Sequence, residues 1–149
     1  MGQYGPEIKK PSELTPSPLL LKYLTISDNY NDLFVEFMLR KLPLLDSIDV
    51  GRNCFNRTRV VVLFNLKNLK SLRIGIRSFA LNSQERSDGL LHIANCPKLV
   101  SIVANGFAFA DYQEMVLENL PSLITIDLNM STFIYAPLFS LIGFAFPRG

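Results

Sequence analysis

Few side chains in this chain are equipped for catalysis. It has one histidine, His92, and two cysteines, Cys54 and Cys96. One histidine cannot build an H-E-x-x-H zinc site, and neither cysteine belongs to a C-x-x-C pair or a Cys/His cluster. The phosphate-cradling G-x-x-x-x-G-K-[ST] loop and the G-x-S-x-G nucleophile elbow are both missing. Asp28, Asn31 and Asp32 offer oxygen donors at roughly calcium-loop spacing, but Tyr30 takes the place of a ligand and no glycine follows. A solvated corner accounts for them. His92 alternates with Leu91 and Ile93 and is expected to point outward from a short strand. Two stretches match the glycosylation sequon, Asn56-Arg57-Thr58 and Asn129-Met130-Ser131. No catalytic residue, metal ligand or cofactor site is assigned, and a non-enzymatic protein is expected.

The remaining residues are better explained as scaffold. The phrases LFNLKNLKSLRI (63–74), HIANCPKLVSIVA (92–104) and LENLPSLITIDL (117–128) are nearly the same sentence. Their opening leucines belong to the series Leu21, Leu45, Leu69, Leu99 and Leu123, spaced by 24, 24, 30 and 24 residues. Three residues on stand Leu24, Ile48, Leu72, Ile102 and Ile126; two further stand Ile26, Val50, Ile74, Ala104 and Leu128. Ten residues after the leucine comes a phenylalanine, Phe55, Phe79, Phe109 and Phe133. Repetition at 20–50 residues marks a solenoid. Within each phrase apolar residues alternate with polar ones, as in a strand with one buried face. A strand recurring at this period with the same face inward must stack in parallel on its copies, about 4.8 Å apart.

Corners follow from the same columns. Ser27, Gly51, Gly75, Asn105 and Asn129 end the strands, and Gly and Asn there predict a left-handed corner residue. Asn65, Asn95 and Asn119, with Lys41 in the first copy, precede the leucine by four and form a second stacked column. Cys96 occupies a slot otherwise filled by Leu42, Leu66 and Leu120, so it reads as a small buried apolar residue. Segments such as VVVLFNL (60–66) predict short strands on the back of each coil. DLFVEFMLRKL (32–42) has helical spacing as well, but register with later copies favours a strand. The six extra residues of the longer repeat fall in NSQERSDG (82–89), a polar surface loop.

These motifs resemble the leucine-rich repeat family. L-x-x-L-x-L appears as Leu69-x-x-Leu72-x-Ile74 and recurs in the other copies. Ile-Gly after the strand and a following Phe resemble the variant found in protist and bacterial surface-type repeat proteins. The match covers about residues 19–134. It departs from the usual pattern where Asn29 and Asn53 give way to Arg77, Phe107 and Ser131. The resemblance implies a leucine-rich-repeat-like solenoid of about five coils, mainly parallel β with few helices. It also implies non-enzymatic protein binding through a concave parallel sheet. A parallel β-helix is the nearest structural alternative. Residues 1–18 are expected to form an N-terminal segment or cap, and 135–149 a degenerate or truncated last coil.

The outward side chains of the strands form two columns. One reads Tyr23, Ser47, Ser71, Ser101, Thr125; the other Thr25, Asp49, Arg73, Val103, Asp127. Hydroxyls in the first pair well across strands for structural reasons alone. The second varies where the scaffold does not require it. Tyr23, Asp49, Arg73, Val103 and Asp127 are therefore the candidate partner-binding residues. A net charge of +2 with scattered basic residues argues against nucleic acid. The apolar stretch 133–146 is interrupted by Pro137 and is shorter than the ~20 residues of a spanning helix. The partner expected is a protein, with self-association through apolar ends. The sparse thiols fit a cytoplasmic setting, or the cell surface if the solenoid belongs to a longer secreted chain. The alternative function is a structural or adhesive surface array.

Overall fold

The computed structural model describes residues 20–31, 35–81, 89–129 and 138–143. These contain ten strands: β1 (Tyr23–Ile26), β2 (Glu36–Leu39), β3 (Ser47–Val50), β4 (Val60–Phe64), β5 (Ser71–Ile74), β6 (Gly89–Ala94), β7 (Ser101–Ala104), β8 (Tyr112–Glu118), β9 (Thr125–Leu128) and β10 (Leu138–Ile142). No helix occurs among the described residues. Odd-numbered strands form a front sheet in the order β1-β3-β5-β7-β9, and even-numbered strands a back sheet in the order β10-β8-β6-β4-β2. Every described pairing is parallel. The molecule is a parallel β-solenoid of about four turns.

Front-sheet register follows the leucine series. Leu24 pairs with Ile48, Ile48 with Leu72, Leu72 with Ile102, and Ile102 with Ile126. The longer third step leaves the register of this sheet unchanged, Leu72 still pairing with Ile102. The loop expected at 82–89 lies outside the described residues except for Gly89. That glycine opens β6 opposite Tyr112, where an added Cβ would come within 2.8 Å of the tyrosine ring and Cα. The register then shifts between Gly89 and Leu90.

The core lies between the sheets. Leu45, Leu69 and Leu99 are completely buried, and so are Cys54 and Cys96. Cys96 fills the leucine slot as expected. Phe55, Phe79 and Phe109 form an internal stack with centroid spacings of 5.0 Å and interplanar angles of 17° and 4°. That spacing matches the strand-to-strand step of a β-sheet, so one ring per coil stacks without distorting either sheet. Phe37 meets the edges of Phe55 and Phe79, and Tyr112 closes the stack edge-on at Phe109.

The corners need one correction. Ser27, Gly51, Gly75, Asn105 and Asn129 do not carry the positive φ that their types predict. It falls two residues later, at Asn29, Asn53, Arg77 and Phe107, with φ between 57° and 64°. Two further left-handed columns are Phe55, Phe79 and Phe109, and Lys41, Asn65, Asn95 and Asn119. The glycines serve close approach instead. A Cβ on Gly75 would stand 2.3 Å from the Gly51 carbonyl oxygen, and one on Gly51 would stand 2.5 Å from Asp28 Oδ1. The amide columns are satisfied from coil to coil. Asn53 Nδ2 donates to Asn29 Oδ1, Asn119 Nδ2 to Asn95 Oδ1, and Asn129 Nδ2 to Asn105 Oδ1, each at 3.0 Å.

The ambiguous first copy forms β2, a strand, in agreement with its register. The last described strand, Leu138–Ile142, belongs to the back sheet, with Leu141 opposite Leu117. Gly143, at φ 76°, lies against Asn119 and extends the column of Lys41, Asn65, Asn95 and Asn119. β10 thus keeps the 24-residue step from β8, Glu114 pairing with Leu138.

Candidate binding surfaces of the solenoid

The front sheet places the candidate residues in two straight columns. Tyr23, Ser47, Ser71, Ser101 and Thr125 pair successively, and so do Thr25, Asp49, Arg73, Val103 and Asp127. Four of the five candidates, Asp49, Arg73, Val103 and Asp127, therefore share one column. Tyr23 belongs to the neighbouring column and sits beside Ser47, two residues along the strand from that line. Asp49 and Arg73 are opposite each other on adjacent strands. Partial burial raises the Asp49 carboxyl above its ordinary pKa, and the Arg73 guanidinium opposes that rise. The front surface is thus a hydroxyl ladder beside a column of changing charge.

The back sheet is more apolar on its outer face than sequence reasoning anticipated. Met38, Val62, His92 and Val116 pair in one outward column, and Val60 and Leu90 lie in the next. Met38, Ile142 and Phe64 are exposed apolar side chains of this sheet, at 49%, 48% and 38%. His92 does point outward, with Nε2 3.1 Å from Glu118 Oε1. The signal was present in VVVLF, whose β-branched run lacks the polar alternation of the front strands.

The residues that resembled a calcium loop serve the corner backbone. Asp28 Oδ1 accepts from the Arg52 amide at 2.8 Å, and Asn31 Oδ1 from the Asn56 amide at 2.7 Å. Asp32 lies outside the described residues. Both sequon asparagines stand in the ladders: Asn56 lies 2.7 Å from the Asn53 side chain, and Asn129 contacts Asn105. Thr58 is completely buried, and its carbonyl accepts from the Tyr112 hydroxyl at 2.6 Å. Burial alone pushes the Tyr112 phenol well above its usual pKa. Cys54 Sγ donates to the Ser27 carbonyl at 3.0 Å, and Ser78 Oγ accepts from the Cys54 amide at 3.0 Å. Burial raises both thiols, Cys54 and Cys96, which keeps them protonated and unreactive.

One surface feature escaped the sequence reading. Two adjoining depressions of about 370 and 380 Å³ lie at the corner leaving the front sheet, and Asn53 and Arg77 border both. Its trace in the sequence is the replacement of the Asn29/Asn53 column by Arg77 and Phe107. No helix among the described residues is long and apolar enough to cross a membrane. No family model, curated protein or solved structure matches the chain.

Proposed function

We propose that this chain is a leucine-rich-repeat-type solenoid of about five coils acting as a non-enzymatic protein-binding scaffold. Binding would run through the outward face of the front sheet, with Asp49, Arg73, Val103 and Asp127 reading the partner and Tyr23 at the edge. One observation carries the reading. Strand pairing aligns these residues in a single column, while the core positions beside them repeat apolar residues from coil to coil. Variation on a repeated scaffold is how a fixed surface acquires specificity, and repeat stacks offer such extended faces. The Asp49–Arg73 pair and the adjacent hydroxyls provide polar recognition; Tyr23 and Arg73 are of the types that dominate interface energies. A cytoplasmic setting agrees with two buried, unpaired cysteines.

A second reading has its own observation. Ile124 is 82% exposed and Ile126 37% exposed at the β9 end of the front sheet. An apolar sheet end fits a structural or adhesive array that associates end to end. The two readings separate in one experiment. Capture of a protein from a source lysate by the wild-type chain, lost in an Asp49/Arg73/Asp127 triple-alanine variant of equal circular dichroism, supports the front face. Equal capture by both overturns it. Concentration-dependent self-association abolished by Ile124→Lys supports the array.

A further inference from the structure

The repeat breaks its asparagine pattern twice in succession at the corner after the front strands. After the front strands, the first two coils place Asn29 and Asn53 in the left-handed conformation and join their amides at 3.0 Å. The next two coils place Arg77 at φ 62° and Phe107 at φ 63°. Neither residue type suits that conformation, whereas asparagine tolerates it. Both replacements also forgo the amide ladder. The core gains nothing in exchange, because both side chains are exposed, Phe107 by 41%. They meet each other instead: the Arg77 guanidinium carbon lies 5.7 Å from the Phe107 ring centroid, within cation–π range. Strained residues kept where the scaffold prefers another type point to a function.

Arg77 and Asn53 border both depressions. Asn29, Arg52 and Ile76 line the first; Asn56, Leu81 and Phe107 contribute to the second. Arg52, with Nε 3.6 Å from Asp28 Oδ2, borders the first hollow, and Arg77 borders both. We propose that this corner binds a carboxylate carried on an apolar body, with Arg77 gripping the anion. A guanidinium offers two parallel N–H donors to a carboxylate. Ile76, Leu81 and Phe107 supply apolar contact to the body. The carboxylate comes either from a free small acid or from the end of a protein chain. This site is separate from the front-sheet columns and does not depend on them.

The test is a titration of the ¹⁵N-labelled full chain followed by amide chemical shifts. The probes are 3-phenylpropionate, its amide 3-phenylpropionamide, and a hexapeptide ending in a free phenylalanine carboxylate. The expected result is saturable shifts at Asn53, Arg77 and Phe107 with 3-phenylpropionate, and at least about tenfold weaker binding of the amide. Arg77→Asn should weaken the acid by a similar factor while melting at the same or a higher temperature, since asparagine restores the amide column. Arg77→Gln, which keeps more of the side-chain length, should weaken it likewise. Tighter binding of the peptide than of 3-phenylpropionate assigns the source to a protein terminus; weaker binding assigns it to a small acid. Equal binding of acid and amide, unchanged affinity in both Arg77 variants, or no shifts at these residues would overturn the proposal.

Discussion

At the residue scale, the buried polar groups define the sharpest expectations. Tyr112 spans 54 residues of sequence to donate to the Thr58 carbonyl inside the core. Tyr112→Phe removes that hydrogen bond and should cost about 0.5–1.5 kcal/mol, measurable as a lower urea midpoint. Asp49 gives a pH expectation. Its folded pKa lies above the ordinary value because partial burial disfavours the charge. The folded state therefore binds this proton more readily than the unfolded state. Ionisation weakens folding above the raised pKa, and the contribution recovers as pH falls through it. Asp49→Asn should raise the melting temperature at neutral pH and flatten the response in the acid range. An unchanged or lower melting temperature at pH 7 would mean that its attraction to Arg73 outweighs the desolvation.

At the scale of elements, the phenylalanine stack and the glycine corners hold neighbouring coils at a common step. Phe79 is stacked between Phe55 and Phe109 and touched edge-on by Phe37. Phe79→Ala should cost about 3–5 kcal/mol, read from chemical denaturation, with Phe79→Leu losing less. Gly75→Ala would push a methyl against the Gly51 backbone and should cost about 1–3 kcal/mol. A Gly75→Ala protein as stable as wild type would show that the corners can separate freely.

These elements also mark how far the sequence could be read. Strand register, the buried leucine columns, the back strands and the slot of Cys96 were legible, because each follows from apolar period and a fixed repeat. The corner conformation was not. Glycine suggests positive φ, yet at Gly51 and Gly75 it is required by backbone approach, a contact between coils that no single-coil pattern displays. The sheet to which Leu138–Ile142 belongs was not legible for a related reason: an apolar run ending in Ile-Gly can end a front or a back strand, and only pairing with β8 distinguishes them. The front columns were readable in composition and alignment. The hollows beside Arg77 were visible only as two misfits in an asparagine column.

At the scale of the molecule, each coil contacts the next through two sheets, a ring stack and ladders of asparagine. Stability in such a stack is close to a sum of coil and neighbour terms. The internal coils bury their core positions, while β9 at the edge leaves Ile126 partly exposed. The most direct measurement is the set of interstrand Hα–HN contacts by NMR for β3, β5 and β7. We expect contacts linking Leu72 to the neighbourhoods of both Ile48 and Ile102, in a parallel pattern on each side. Antiparallel contacts between consecutive strands such as β4 and β5 would contradict the solenoid and remove the aligned face on which the binding proposal rests.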